Sequence, residues 1–195
     1  MSIDKRDIID YFDEHAASWD SETVKDDGIV SFILDNAGVS KGKNILDVAT
    51  GTGVLIPDYY SRSVSSVTAI DISPEMIRIC RGKYPDIDAI CADAENYDFG
   101  RLFDCIVIYN AFPHFPEPEK LISHLEPFLS KDGTLTIAHG MSRRMIDSHH
   151  SGHARNVSVG LMDIDNLDKL LSAYLDVTYK ISDDRMYQIV GKKRN

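Results

Sequence analysis

From Asn44 onward the apolar positions fall into short β-rich runs separated by stretches of helical period. NILDVAT (44–50), SVTAIDI (66–72), DAICAD (88–93), CIVIYNA (105–111) and GTLTIAHG (133–140) read as strands. Between them, VLIPDYYS predicts a short helix, and SPEMIRICRGKY a longer one with Ser73 as N-cap, Pro74 at its first position and Met76, Ile77 and Cys80 on its buried face. PEPEKLISHLEPFLS places Leu121, Leu125 and Phe128 on one side of a third, and KDG turns the chain into the fifth strand. CIVIYNA is almost continuously apolar, which suits a central strand buried on both faces. A helix over 163–174 carries Leu167, Leu170, Leu171 and Tyr174 on one stripe, and DVTYKI and MYQIVGK then flank the polar turn SDDR. Two strands so joined form a hairpin, so the last strand runs antiparallel to its neighbour. The fold class is α/β, a Rossmann-like doubly wound sheet of seven strands, mostly parallel with an antiparallel C-terminal hairpin strand.

Two segments lie outside this alternation. DKRDIIDYFDEHAASWD and DGIVSFILDNAG are helical stretches ahead of the first strand, the second ending at Gly38 in a C-terminal cap position. They pack around the rim of the sheet. Residues 140–162 show no clear period, and a connection that long inside a compact domain is usually functional or disordered. No internal repeat divides the chain, so we expect a single domain over 1–195, with 1–40 as lid helices and 140–162 as a cap insert.

A length of 195 residues with 43% hydrophobic side chains supports one substantial core. The formal charge of −10 argues against a broad footprint for nucleic acid or an anionic membrane, because both require dense positive charge. The N-terminus is charged from its fourth residue, and no run reaches the ~18 apolar residues of a membrane span. Cys80, Cys91 and Cys105 are too far apart for a CxxC pair, and each lies in an apolar segment. We expect three buried, reduced thiols in a cytoplasmic protein.

Open parallel sheets bind ligands beyond the carboxyl ends of their strands. The first strand ends in DVATGTG, Asp47 to Gly53, where Gly51 and Gly53 allow a tight turn and close approach to a ligand. A GxG turn alone also fits a nicotinamide enzyme, but the dinucleotide fingerprint needs a third glycine where this chain has Ile56. Asp47 ahead of the turn repels a pyrophosphate and attracts an ammonium or sulfonium. The next strand ends in Asp71, placed to accept from ribose hydroxyls, the third in Asp93-Ala94, placed to accept from an adenine amine, and the fourth in Asn110-Ala111-Phe112. Three acidic residues closing three successive strands describe a cationic, ribose-bearing adenine ligand.

At these residues the sequence resembles the class I S-adenosylmethionine-dependent methyltransferases, in their ubiquinone/menaquinone C-methyltransferase-like branch. ILDVATGTG is similar to that family's first motif, with Ala49 where many members carry glycine. AIDIS, CADAENYDF, NAFPHF and LSKDGTLTIAHG follow in the family's order, and YFDEHAASWD is similar to the FDxxAxxYD segment folded over the cofactor. The resemblance implies that Asp47, Gly51 and Gly53 line the methionine part of S-adenosyl-L-methionine and Asp71 the ribose, with Ala49 and Asn110 also at the cofactor. Asp93 with Ala94 would hold the adenine, Ile72 and Met76 would flank its ring, and Tyr11 and Trp19 would close the lid.

The acceptor side is less legible. The stretch HGMSRRMIDSHHSGH, 139–153, holds four of the seven histidines. It reads as a solvated capping loop, as an acceptor wall, or as a metal site built from His149 and His153 with His139 or Asp147. As an acceptor wall, His114 or His139 is the base or orienting group, Arg143 or Arg144 binds an anion, and Phe112, His149 and His150 line the pocket. The HHxxH spacing matches no strong metal signature. We expect methyl transfer to a small-molecule acceptor. A cofactor-binding regulatory or partner module without turnover, and an aminopropyl-type transferase on the same fold, are the alternatives.

Overall fold

The structure is a computed structural model that describes residues 3–150 and 157–194, without the side chains of 148–150. Seven strands form one sheet: β1 (Asn44–Val48), β2 (Ser66–Asp71), β3 (Asp88–Cys91), β4 (Phe103–Tyr109), β5 (Leu129–His139), β6 (Asp176–Ser182) and β7 (Tyr187–Lys192). Their order is β3-β2-β1-β4-β5-β7-β6. The first five are mutually parallel, and β7 is antiparallel to both β5 and β6. The order reverses between β1 and β4, which opens a crevice beyond their carboxyl ends.

Helices α1 (Lys5–His15), α2 (Trp19–Glu22) and α3 (Asp27–Asn36) precede the sheet. Then come α4 (Ile56–Ser61), α5 (Pro74–Lys83), α6 (Pro118–Leu125), α7 (Arg143–His150) and α8 (Ile164–Leu171). One face of the sheet packs Leu46, Ile106 and Ile108 against Leu121, Leu125, Leu167 and Leu171 of α6 and α8. The other packs Ile45, Val107 and Ala138 against Ile33 and Leu34 of α3 and Ile56 and Tyr59 of α4. Central strands buried on both sides explain the near-continuous apolar run of β4.

Local signals act as expected at two ends. Ser73 accepts from Met76 N–H at 3.1 Å to cap α5, with Pro74 in the first turn. Gly38 follows α3 at φ +76°, and the Val39 N–H returns to the Leu34 carbonyl at 3.0 Å.

Three expectations are corrected. The KDG segment lies inside a longer β5, where pairing with β4 shifts register between Phe103 and Cys105 and Asp132 takes φ +63°. Gly133 is needed there because a Cβ would meet the Ser130 carbonyl at 2.9 Å. Residues 143–150 form a helix rather than a loop, held by the burial of Ile146 and by Arg143, which pairs with Asp147 at 3.6 Å and Asp163 at 3.0 Å. Of the three thiols Cys80 and Cys105 are buried, but Cys91 ends the edge strand β3 and is exposed. Among the described residues no helix is long and apolar enough to cross a membrane.

Candidate functional site

Beyond the strand ends at the point of order reversal lies a cavity open to solvent. The loops after β1, β2, β3 and β4 form its floor and walls, and α1 and α2 form its cover.

The turn after β1 is tightly wound. Ala49, Gly51 and Gly53 have φ of +55°, +57° and +89°. Ala49 and Gly51 line the cavity. Trp19 closes over Gly51, its Nε1 lying 3.6 Å from where a Cβ would stand. Gly53 faces the other way, since a Cβ would meet the Tyr84 ring at 2.9 Å and Cys80 Sγ at 3.0 Å. Its role is to let the turn pack on α5.

Asp71 reaches back from the end of β2 and accepts the Gly51 N–H at 2.8 Å and the Ser73 N–H at 2.9 Å. It lines the cavity beside Ile72 and Met76. Burial pushes its carboxyl up to about 6, against the backbone hydrogen bonds that pull it down. Asp47 lies beneath the turn rather than in the cavity lining. It accepts from Thr50 Oγ1 at 2.6 Å and Tyr59 OH at 3.2 Å, and burial pushes it up to about 7.

At the far end, Asp93, Ala94 and Glu95 line the cavity. Asn110 sits in the left-handed region at φ +53° and accepts the Gly140 N–H at 3.0 Å, tying the ends of β4 and β5 together. The cover is held by polar contacts at both ends. Asp13 accepts from Ser73 Oγ at 2.5 Å and Glu75 N–H at 3.1 Å, and Asp20 accepts from Thr52 Oγ1 at 2.5 Å and Lys83 Nζ at 2.7 Å. Phe12 lines the cavity, edge-on to Trp19 at 5.5 Å and to His114 at 4.9 Å. Tyr11 is outside the lining and stacks on His15 at 4.3 Å.

Residues 45–133 match the family described as "Methyltransferase domain". The chain is 30% identical over 145 residues to a demethylmenaquinone methyltransferase of Renibacterium salmoninarum, covering 70% of this chain and 61% of that protein. It is 28% identical over 141 residues to a malonyl-[acyl-carrier protein] O-methyltransferase of Acetivibrio thermocellus, covering 70% and 50%. The chain carries a methyltransferase domain. Two solved structures share the fold. The TehB-like SAM-dependent methyltransferase of Corynebacterium glutamicum superposes with TM-score 0.70 at 18% identity, covering 94% of this chain and 98% of that one. The N-methyltransferase NodS of Bradyrhizobium japonicum, in complex with S-adenosyl-L-homocysteine, does so with TM-score 0.66 at 14% identity, covering 86% and 85%. The chain spans less than two thirds of the length of the curated relatives named here, 61% and 50%.

The cofactor of this family is S-adenosylmethionine. Apolar Ile72, Met76 and Trp19 line the cavity beside the buried carboxylate of Asp71. Asp47, Gly53 and Tyr11 are not among the residues that line it. Lys5, Ile8 and Phe12 of α1 also line it, because the spacing of α1 does not tell which of its turns meets the sheet, and Thr23 and Glu95 join them from the loops after α2 and β3.

On the acceptor side of the domain, His114 lines the cavity and donates from Nδ1 to the Val157 carbonyl at 2.8 Å. A second cavity, lined by Phe112, Arg143, Asp147 and Met162, shares the Phe115-Pro116 wall with the first. Arg143 is committed to its two carboxylates, and Arg144 is exposed and lines neither cavity. His139 is buried on β5, its ring edge-on to Tyr187 at 6.1 Å, and lines neither cavity. The side chains of His149 and His150, and all of His153, lie outside the described residues. Among the described residues no group of three or more His, Cys, Asp or Glu could hold a metal ion.

Proposed function

We propose that this chain binds S-adenosyl-L-methionine in the cavity at the strand ends and transfers its methyl group to a small-molecule acceptor. The observation that carries the reading is Asp71, a buried carboxylate at the end of β2 that lines the cavity and is locked to the glycine turn through the Gly51 N–H. Its remaining lone pairs accept from the ribose hydroxyls. Ile72 and Met76 flank the adenine, Asp93 and Ala94 meet its edge, and Ala49, Gly51 and Asn110 surround the methionine part. Trp19 closes the cover and keeps water out.

When bound, the cofactor supplies a methyl group already activated on a sulfonium, so in-line alignment provides much of the catalysis. What the chain adds is position and a proton acceptor. Because Nδ1 donates to a carbonyl, Nε2 is the ring nitrogen through which His114 would orient the acceptor or take its proton. His139, packed in the core, has no such role. Arg143 lies between Asp147 and Asp163 at the wall of the second cavity. The relatives carry names that specify demethylmenaquinone and malonyl-[acyl-carrier protein], and both are longer than this chain covers.

The test is thermal stabilisation and calorimetry with S-adenosyl-L-homocysteine beside NAD, followed by label transfer from methyl-labelled cofactor into small-molecule extracts. Stabilisation by the homocysteine compound alone, with labelled product, is the expected result. Absence of stabilisation at millimolar ligand overturns the cofactor reading, and tight binding without labelled product favours a regulatory module. His114→Ala should keep cofactor affinity within about threefold while turnover falls about tenfold or more.

A further inference from the structure

The polar end of the cavity carries more charge than one adenine-reading carboxylate. Glu95 lines the cavity although its side chain is wholly shielded from solvent. Its Oε2 is paired with the Lys5 ammonium, and its Oε1 is buried without a hydrogen-bond partner. A buried carboxylate oxygen without a donor costs free energy, which a ligand able to donate there would recover. Asp93 is in the opposite condition. Its Oδ1 accepts the Glu95 N–H at 3.0 Å, and its Oδ2 accepts from Asn96 Nδ2 at 2.7 Å and Lys5 Nζ at 2.5 Å.

Lys5 is the first residue of α1, and its ammonium bridges two carboxylates on a loop 88 and 90 residues away. Burial works against this ammonium, and the two carboxylates outweigh it, so its pKa lies above the ordinary lysine value. Its side chain is still about one third exposed, so the long stem has a route to the rim of the cavity.

We propose that Glu95, together with Asp93, reads the exocyclic amine of the bound purine, and that Lys5 is a resident stand-in for that amine, holding its seat until the ligand displaces it. The proposal rests on the cavity being an adenosyl-cofactor site. An amine with two N–H donors satisfies the orphan Oε1 of Glu95 and the remaining capacity of Asp93. A purine with a carbonyl at that position faces two carboxylates and is rejected. Displacement moves the ammonium to the rim, where it still offsets the two negative charges, and frees the first turn of α1. Glu95 is thus a specificity-determining residue, and Lys5 couples ligand arrival to release of the first turn of α1.

The experiment is calorimetric titration of S-adenosyl-L-homocysteine and of its inosine counterpart, in which the amine is replaced by a carbonyl. The proteins are the full chain, Glu95→Met, Glu95→Gln and Lys5→Met. The unmodified chain should prefer the adenosine compound by about thirtyfold or more. Glu95→Met should lose about tenfold for it and about threefold or less for the inosine compound, with Glu95→Gln between, and Lys5→Met should bind it about threefold tighter. Hydrogen exchange at the first turn of α1 should quicken on ligand binding in the unmodified chain. Equal losses for both ligands in the Glu95 variants make that residue structural and overturn the proposal, as does weaker binding by Lys5→Met. Should Glu95→Met fail to fold, the ligand preference of the unmodified chain and the Lys5→Met titration decide it. Failure of the unmodified chain to bind either compound overturns the cofactor reading itself, whereas binding without preference overturns only the role of Glu95.

Discussion

The backbone N–H of Gly51 donates to Oδ2 of Asp71 at 2.8 Å, so the glycine turn after β1 and the carboxylate that ends β2 form one rigid unit at the mouth of the sheet. The bond also fixes where the other lone pairs of Asp71 point, and its burial raises the carboxyl to about 6. Ligand hydroxyls that donate to this group favour its ionised form. Binding therefore releases a proton near and below that pH, and affinity for S-adenosyl-L-homocysteine should rise from pH 5 and level off above about 6.5. Asp71→Asn should bind about tenfold or more weakly and lose the dependence, as read by calorimetry in two buffers of different ionisation enthalpy.

Asp47 gives a pH effect on stability instead. Its folded pKa is raised to about 7 from an ordinary 3.8 because it is buried beneath the turn. Between those values the folded chain holds a proton that the unfolded chain has released, so stability falls as pH rises from about 4 to 7 and the loss is complete above 7. Asp47→Asn can keep partners in Thr50 and Tyr59 while removing the titration. At pH 8 it should gain on the order of 2 kcal/mol relative to the unsubstituted chain, and near pH 4 almost none, measured by denaturant unfolding across that range.

Ala49 occupies the left-handed region at φ +55°. An L-residue there costs about 1–2 kcal/mol, partly offset by the extra chain entropy a glycine loses on folding. Ala49→Gly should stabilise by about 0.5–1 kcal/mol. Gly53→Ala should do the reverse by about 2 kcal/mol or more, since φ is +89° and the new Cβ would meet the Tyr84 ring at 2.9 Å. Paired unfolding curves measure both.

Trp19 is the only tryptophan and lines the cavity over Gly51. Its emission should change in intensity and position when S-adenosyl-L-homocysteine binds, giving a direct titration. Trp19→Phe should bind a few-fold more weakly and Trp19→Leu about tenfold or more, because a large flat contact and its water exclusion are lost. The loss should fall on affinity, with little change in the unfolding midpoint of the free chain.

Particular residues show how far the sequence reached. Asp71, Asp93 and Asn110 lie at strand ends, and a strand end is marked locally by the change from a β-rich run to a glycine, proline or helix-cap signal. Asp47 shares that signal, yet it faces Tyr59 of α4 below the sheet edge instead of the cavity. His139 and His114 both follow strand ends. Only His114 reaches the cavity, while His139 stays in register with Tyr187 of β7. Helix α7 was not legible because an eight-residue helix of low apolar content owes its stability to Ile146 burial and to Asp163 across the cap.

The sequence by itself determined the alternation of strands and helices, the C-terminal hairpin, the capping of α5 and the family motifs, because each rests on residues a few positions apart. Only the tertiary structure decided which carboxylates face the cavity, that Arg143 meets Asp163, and that Lys5 meets Glu95. Those outcomes depend on burial and on pairing between groups tens of residues apart, and no local pattern encodes them.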